Sequence, residues 1–181
     1  MEGVDGSSRK IPPRVPRRVL GTPQYYDVRA RLFEEKNPGM EAPKYYREFG
    51  QFFAKKFDKL RPSLTEKSQQ WVDQTRLDLQ KEIEKALQDG SLDETKPGAV
   101  DRFATELHSK LYKKNGFGDL PNDDQQKIGM TILSEGRAWQ LDKLWEGRKL
   151  TPEAFQLILE ENYKHTHKPD PLWHIWEGIN K

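Results

Sequence analysis

Between Ser63 and Gly90 the chain repeats Leu64, Trp71, Val72, Thr75, Leu79, Ile83, Ala86 and Leu87 at three- and four-residue steps, with Glu, Lys, Gln and Asp between them. That period is one stripe of an α-helix, so the stretch predicts a long amphipathic helix with one buried face. Ser63 and Glu66 stand at capping-box spacing, where the hydroxyl accepts from a first-turn amide and the carboxylate from the cap residue's own N–H. Gly90 fits the left-handed residue that closes a helix. At 1.5 Å per residue the helix would run about 40 Å, a spine along which shorter helices can pack.

The same pattern predicts helices on either side. Thr22 and Pro23 place a cap and a first-turn proline before an apolar face of Tyr25, Tyr26, Val28, Leu32 and Phe33, and Asn37-Pro38-Gly39 stops it. After Pro43, Tyr45, Tyr46, Phe49, Phe52, Phe53 and Phe57 form a dense aromatic stripe interleaved with Lys44, Arg47, Lys55 and Lys56. Such a stripe either packs on the spine or stacks nucleobases in a basic groove, and helical spacing favours packing. Asp93 or Thr95, then Pro97, announce a further helix with Val100, Phe103, Leu107 and Leu111 on one face. Asp123 and Asp124 load the first turn of the next, where acids oppose the helix dipole. Helices are also expected over residues 135–147 and after Thr151, with Leu172, Trp173 and Trp176 anchoring a C-terminal turn. Strand-like alternation nowhere exceeds about four residues. The fold class expected is all-α: a single domain, residues 23–181, of about seven or eight helices around the helix over 63–89.

Composition narrows the chemistry. In 181 residues there is no cysteine, which removes disulfides, thiolate nucleophiles and Cys-based zinc sites and points to a reducing compartment. Mean hydropathy is -0.99, yet five Trp, six Tyr and eight Phe supply enough apolar surface for a core. No run reaches the roughly 18 apolar residues of a membrane span, and the start lacks the apolar block of a secretory signal, so a soluble, cytoplasmic protein is expected, with any export by another route.

The net charge of +2 hides segregation along the chain. Residues 44–61 carry six bases against two acids, and residues 63–94 eight acids against four bases, the arrangement of two neighbouring helices with complementary outer faces. Residues 1–22 carry Arg9, Lys10, Arg14, Arg17 and Arg18 with Pro12, Pro13 and Pro16. Proline fixes φ and extends its predecessor, so this segment reads as a flexible, solvated tail with displayed arginines. Its deletion is expected to leave stability unchanged, and its function is docking on an acidic partner surface. A protein partner is expected; nucleic acid, met by the tail and residues 44–61, is the alternative.

Histidines supply the remaining candidates. His108 sits beside the apolar face of a predicted helix, where a lone histidine is more often structural than catalytic although its ordinary pKa suits acid–base work. Glu106 is a candidate acid near it in sequence. His165, His167 and His174, with Asp170 between them, are raw material for a zinc or manganese site. Histidines two apart diverge by about 200° on a helix, and Lys168-Pro169-Asp170-Pro171 demands an extended turn, so neither a bound metal nor a cofactor is expected. Residues 115–133 contain no Gly-Lys-Ser/Thr phosphate loop and no calcium loop.

Two stretches, KLRPSLTEKSQQWVDQTRLDLQKEIEKAL and FATELHSKLYKKNGFGDLPNDDQQKIG, carry a Trp-containing amphipathic helix after a Pro-Ser-Leu-Thr entry and a GFGDLP turn. Over roughly residues 23–145 the chain resembles a helical module of large bacterial toxin-like proteins linked to polymorphic-toxin or contractile injection systems. The resemblance implies a bacterial effector context, delivery into another cell and a cargo or accessory role. It brings no catalytic set, so no active-site residue follows from it. Two functions stand: a noncatalytic interaction or accessory domain docking through its basic tail, or a small toxin-type hydrolase whose general base is His108, or His165, His167 and His174 with Asp170 or Glu106.

Overall fold

The computed structural model describes residues 11–133, and every regular element among them is helical. Helix α1 spans Gln24–Lys36, α2 Phe52–Leu60, α3 Glu66–Asp89, α4 Ala99–Lys114 and α5 Asn122–Leu133. A π-helical segment, Tyr45–Gln51, runs directly into α2, and 3₁₀ turns lie at Arg17–Val19, Arg61–Ser63 and Phe117–Asp119. Among the described residues no helix is long and apolar enough to cross a membrane. The helices expected beyond Leu133 lie outside the described residues.

The 24-residue α3 is the longest of these elements and buries Trp71, Val72, Leu79, Ile83, Ala86 and Leu87 along one face. Two apolar clusters divide that face. Toward its C-terminal half, Leu79, Ile83, Ala86 and Leu87 meet Tyr25, Tyr26 and Ala30 of α1, Tyr45 and Tyr46, and Val100, Ala104 and Leu111 of α4. Toward its start, Trp71 and Val72 meet Leu64, Phe117, Leu120 and Ile128. Gly90 closes the helix at φ +78°, as the pattern predicts.

The start of α3 differs from the expected capping box. Ser63 lies in a 3₁₀ turn and its hydroxyl donates to the Leu60 carbonyl at 2.8 Å. The cap residue is Thr65, two residues later, and it is held by a carboxylate from a distant helix. Asp124 Oδ2 accepts from the Thr65 amide at 3.0 Å and from its hydroxyl at 2.5 Å. Asp124 therefore ties α5 to the beginning of α3 as well as lying in the first turn of its own helix. Burial pushes its carboxyl up, but hydrogen bonds from Thr65 and Ser68 and the charge of Lys127 outweigh burial and hold it below the usual range. A carboxylate whose pKa is depressed by folding stabilises above its unfolded value, near 4, and loses that stabilisation as pH falls through the folded value. Asp124→Asn is therefore expected to cost about 1.5–3 kcal/mol at pH 7 and progressively less as the pH falls below the unfolded value, read from urea midpoints along that series.

The larger correction concerns the N-terminal segment. Residues 11–22 are not a solvated tail: Val15 is buried, and Val19 and Leu20 pack against the same cluster as α1 and α3. The prolines that suggested a free polyproline segment instead leave its backbone carbonyls available to side chains. Gln88 Nε2 donates to Pro12 O at 2.8 Å, and Arg29 to Pro13 O at 2.6 Å. The Val15 amide donates to Glu84 at 3.4 Å, and Gln80 clasps the end of the segment, accepting from the Gly21 amide at 2.6 Å and donating to Thr22 O at 2.9 Å. The segment also contains a helical turn, Arg17–Val19, that proline content alone argued against.

Candidate functional site

The anchored segment displays its arginines. Arg14, Arg17 and Arg18 are exposed, while the backbone between them is fixed from below by Glu84, Gln80 and Gln88 of α3. Arg14 Nε also donates to Gln88 Oε1 at 3.1 Å, so one glutamine holds both the backbone and the first of the three arginines. Arg9 and Lys10 lie outside the described residues.

Beneath the segment is a buried polar cluster centred on Arg29. Its side chain is fully buried and reaches Glu94 at 2.9 Å, Glu84 at 3.7 Å and the Pro13 carbonyl. Tyr46 donates to Glu94 at 2.8 Å, and Tyr25 to Glu84 at 3.1 Å. Burial raises the Glu94 carboxyl above the usual carboxylate range, against the opposing pull of Arg29 and Tyr46. A charge at this depth is tolerable because Glu94, Glu84 and the Pro13 carbonyl hold the two terminal guanidinium nitrogens, while Nε stays without a partner. Nothing near Arg29 in sequence announces this, since Glu84 and Glu94 lie 55 and 65 residues away.

The aromatic stripe faces inward, as helical spacing favours. Tyr45, Tyr46 and Phe53 are buried and Phe49, Phe52 and Phe57 half-buried, with Phe49 stacked on Tyr45 at 5.4 Å. The bases of residues 44–61 are partly neutralised by the acids of their neighbours. Arg47 pairs with Glu34 at 2.5 Å, Arg61 with Asp73 at 2.8 Å, and Asp58 with Arg76 at 2.6 Å. Arg61–Asp73 joins the α2 region to α3 in the sense expected from the segregated charge, whereas Asp58–Arg76 crosses the same boundary with the signs reversed.

His108 stands on α4 with its ring edge-on to Phe49 at 6.0 Å and near Tyr112 at 5.9 Å. Nδ1 lies 2.6 Å from the Ala104 carbonyl, which can only accept, so Nδ1 carries the proton. Burial pulls the imidazole's pKa down against that hydrogen bond, which keeps the ring neutral at pH 7 and leaves Nε2 as the lone-pair nitrogen. Its ring and hydrogen-bond contacts are therefore with aromatic side chains and a backbone carbonyl, while Glu106 is exposed on the same helix. Among the described residues no three His, Asp or Glu side chains converge to hold a metal. His165, His167, Asp170 and His174 lie outside them.

His108 lines a cavity of about 60 Å³ between the π-helical segment, α2, α3 and α4. Tyr26, Tyr45, Phe49, Trp71 and Tyr112 contribute to its wall. The indole N–H of Trp71 and the hydroxyl of Tyr45 are buried and without a hydrogen-bond partner. Gly50 is required on one side, since a Cβ there would stand 2.4 Å from the Tyr26 ring. The aromatic spacing marked a core in the sequence but gave no sign that the core keeps a polar hollow. Set beside protein-family models, curated proteins and solved structures, the chain matches none.

Proposed function

We propose that this chain is a noncatalytic helical interaction or accessory domain of a bacterial effector or toxin system, made in the cytoplasm and delivered with its system to a target cell. In this reading a body of about seven or eight helices is organised along α3 and presents a docking segment made of Arg9, Lys10, Arg14, Arg17 and Arg18. The observation that supports docking is the contrast within residues 11–22: a backbone pinned to α1 and α3 carrying three exposed arginines. A segment already ordered before contact loses little conformational freedom on binding, so its charges convert into affinity more efficiently than those of a loose tail. The hydrolase alternative draws no support from His108, whose ring contacts are the Ala104 carbonyl, Phe49 and Tyr112 rather than an orienting carboxylate.

The partner chemistry is an acidic protein surface, and hexaglutamate peptide is a fair probe of it. In an amide NMR titration the largest shifts are expected at residues 14–20, weakening as salt shortens the screening length from roughly 30 Å at 0.01 M to about 8 Å at 0.15 M. Arg14→Gln, Arg17→Gln and Arg18→Gln together should abolish them. Shifts centred on residues 44–61, or stronger shifts there with a single-stranded oligothymidylate, would move the interface to the aromatic-basic helix. Growth arrest of a bacterial host expressing the chain, lost on His108→Ala, would overturn the noncatalytic reading.

A further inference from the structure

The cavity beside His108 combines features that an ordinary packing defect lacks. Packing defects in protein cores are apolar and stay dry, whereas buried N–H and O–H groups nearly always find partners. Here Tyr45 and Trp71, 4% and 5% exposed, both line the space and both keep a polar atom unsatisfied. The Tyr26 hydroxyl is near enough to affect the ionisation of Tyr45 but falls outside hydrogen-bonding geometry. Tyr26, Tyr45 and Tyr112 influence one another pairwise, so three phenol groups gather around one hollow. Burial holds all three protonated, Tyr26 being pushed up to about 12, so each remains an O–H donor at neutral pH. The wall is partly the Tyr45–Gln51 π-helical segment, a distortion of the i→i+4 ladder that is frequent at functional sites.

The donors define what would fit. Two unpartnered donors, the Tyr45 hydroxyl and the Trp71 indole N–H, on residues lining one space call for an accepting oxygen, with the lone pair of His108 Nε2 able to receive a hydroxyl hydrogen. An anion is disfavoured: the lining has one cation, Arg76, and its guanidinium is already held by Asp58 and the Ala54 carbonyl. About 60 Å³ is several times the roughly 10–15 Å³ that one water needs and well short of the roughly 150 Å³ apolar cavity that takes benzene. The space therefore suits the oxygen-bearing end of a small molecule, with Phe49, Phe57 and Tyr112 of the lining offering apolar surface to the remainder.

We propose that the cavity bounded by Tyr45, Trp71 and His108 is a binding site for a small neutral molecule with an apolar body, recognised through a carbonyl or hydroxyl oxygen that accepts from Tyr45 and Trp71. The site is separate from the arginine segment, and its success or failure leaves the docking reading untouched.

The test uses the Trp71 indole N–H resonance of the full chain, identified by its loss in Trp71→Phe, and three probes of one shape. Titration with 2-butanone should shift that resonance saturably. The isosteric hydrocarbon 2-methyl-1-butene should bind at least about fivefold more weakly, the worth of one neutral hydrogen bond. Propionate, which places a charge where the ketone places its oxygen, should bind more weakly still. Tyr45→Phe should weaken 2-butanone about fivefold while leaving the hydrocarbon unchanged. An unmoved Trp71 resonance, meaning a cavity that holds water alone, would overturn the proposal. So would a hydrocarbon or propionate that binds as tightly as the ketone. These three probes on the unaltered chain decide the matter even where Tyr45→Phe does not fold.

Discussion

Replacing Arg29 by alanine is expected to destabilise the fold by about 3–5 kcal/mol, the range for removing one partner of a buried ion pair. The side chain is fully buried, and its loss strands two carboxylates, Glu84 and Glu94, that already accept from Tyr25 and Tyr46. It also releases the Pro13 carbonyl and with it part of the grip on the N-terminal segment. Against a total stability of about 5–15 kcal/mol for a domain, that is a large fraction, so chemical denaturation should show a clear drop in midpoint. The mechanism makes a second demand. If the cost comes from stranded charge rather than lost volume, Arg29→Met combined with Glu94→Gln should recover part of it, since a buried pair can often be exchanged for neutral groups at little net cost. A double variant as unstable as Arg29→Ala would show that packing, not charge, dominates there.

Trp71→Ala should cost a comparable amount, about 3–5 kcal/mol, by removing the largest side chain at the start of α3. The apolar stripe of α3 puts this tryptophan on the buried face, and the structure packs it in one cluster with Phe57 of the preceding aromatic stripe and with rings from later in the chain. Its ring meets Tyr112 edge-on at 5.0 Å and Phe117 at 5.2 Å, from α4 and the turn that follows it, while Phe57 and Leu60 complete the cluster. Truncation should therefore loosen the GFGDLP turn and α5 more than α1. Thermal unfolding gives the magnitude; amide exchange at residues 117–128, rising before that of α1, identifies the location.

Helix α3, α4 and α1 were legible because their stability rests on amphipathic faces, and a period of 3.6 is visible in any one stretch. What was hidden depends on pairs far apart in the chain. The start of α3 looked like a capping box because Ser63 and Glu66 have the right spacing, but Asp124, 59 residues away from Thr65, decides where the helix begins. The π-helical segment escaped notice because Tyr45, Phe49, Phe53 and Phe57 recur every four residues, a spacing equally at home in a plain α-helix. Gly50 was the local clue, since a glycine inside an aromatic helix signals a close approach, here to Tyr26.

The candidate docking site was half visible. Its arginines stand out in composition, but Pro12, Pro13 and Pro16 suggested a backbone without partners, whereas α3 supplies those partners from its side chains. Val15, Val19 and Leu20, apolar residues among the charges, were the signal that the segment returns to the core. Arg29 gave no such signal, because a buried arginine reads like any polar position on a helix until Glu84 and Glu94 are brought to it.

Residues 11–22 belong to the folded body and carry their arginines on a fixed backbone. Amide hydrogen exchange at Val15 and Gly21 tests this placement most directly, because those N–H groups donate to Glu84 and Gln80 rather than to a neighbouring turn. Protection is expected at both, falling with Arg29→Ala and insensitive to neutralising Arg17 and Arg18. Exchange at both positions as fast as in an unstructured peptide would contradict it and return the segment to a solvated tail.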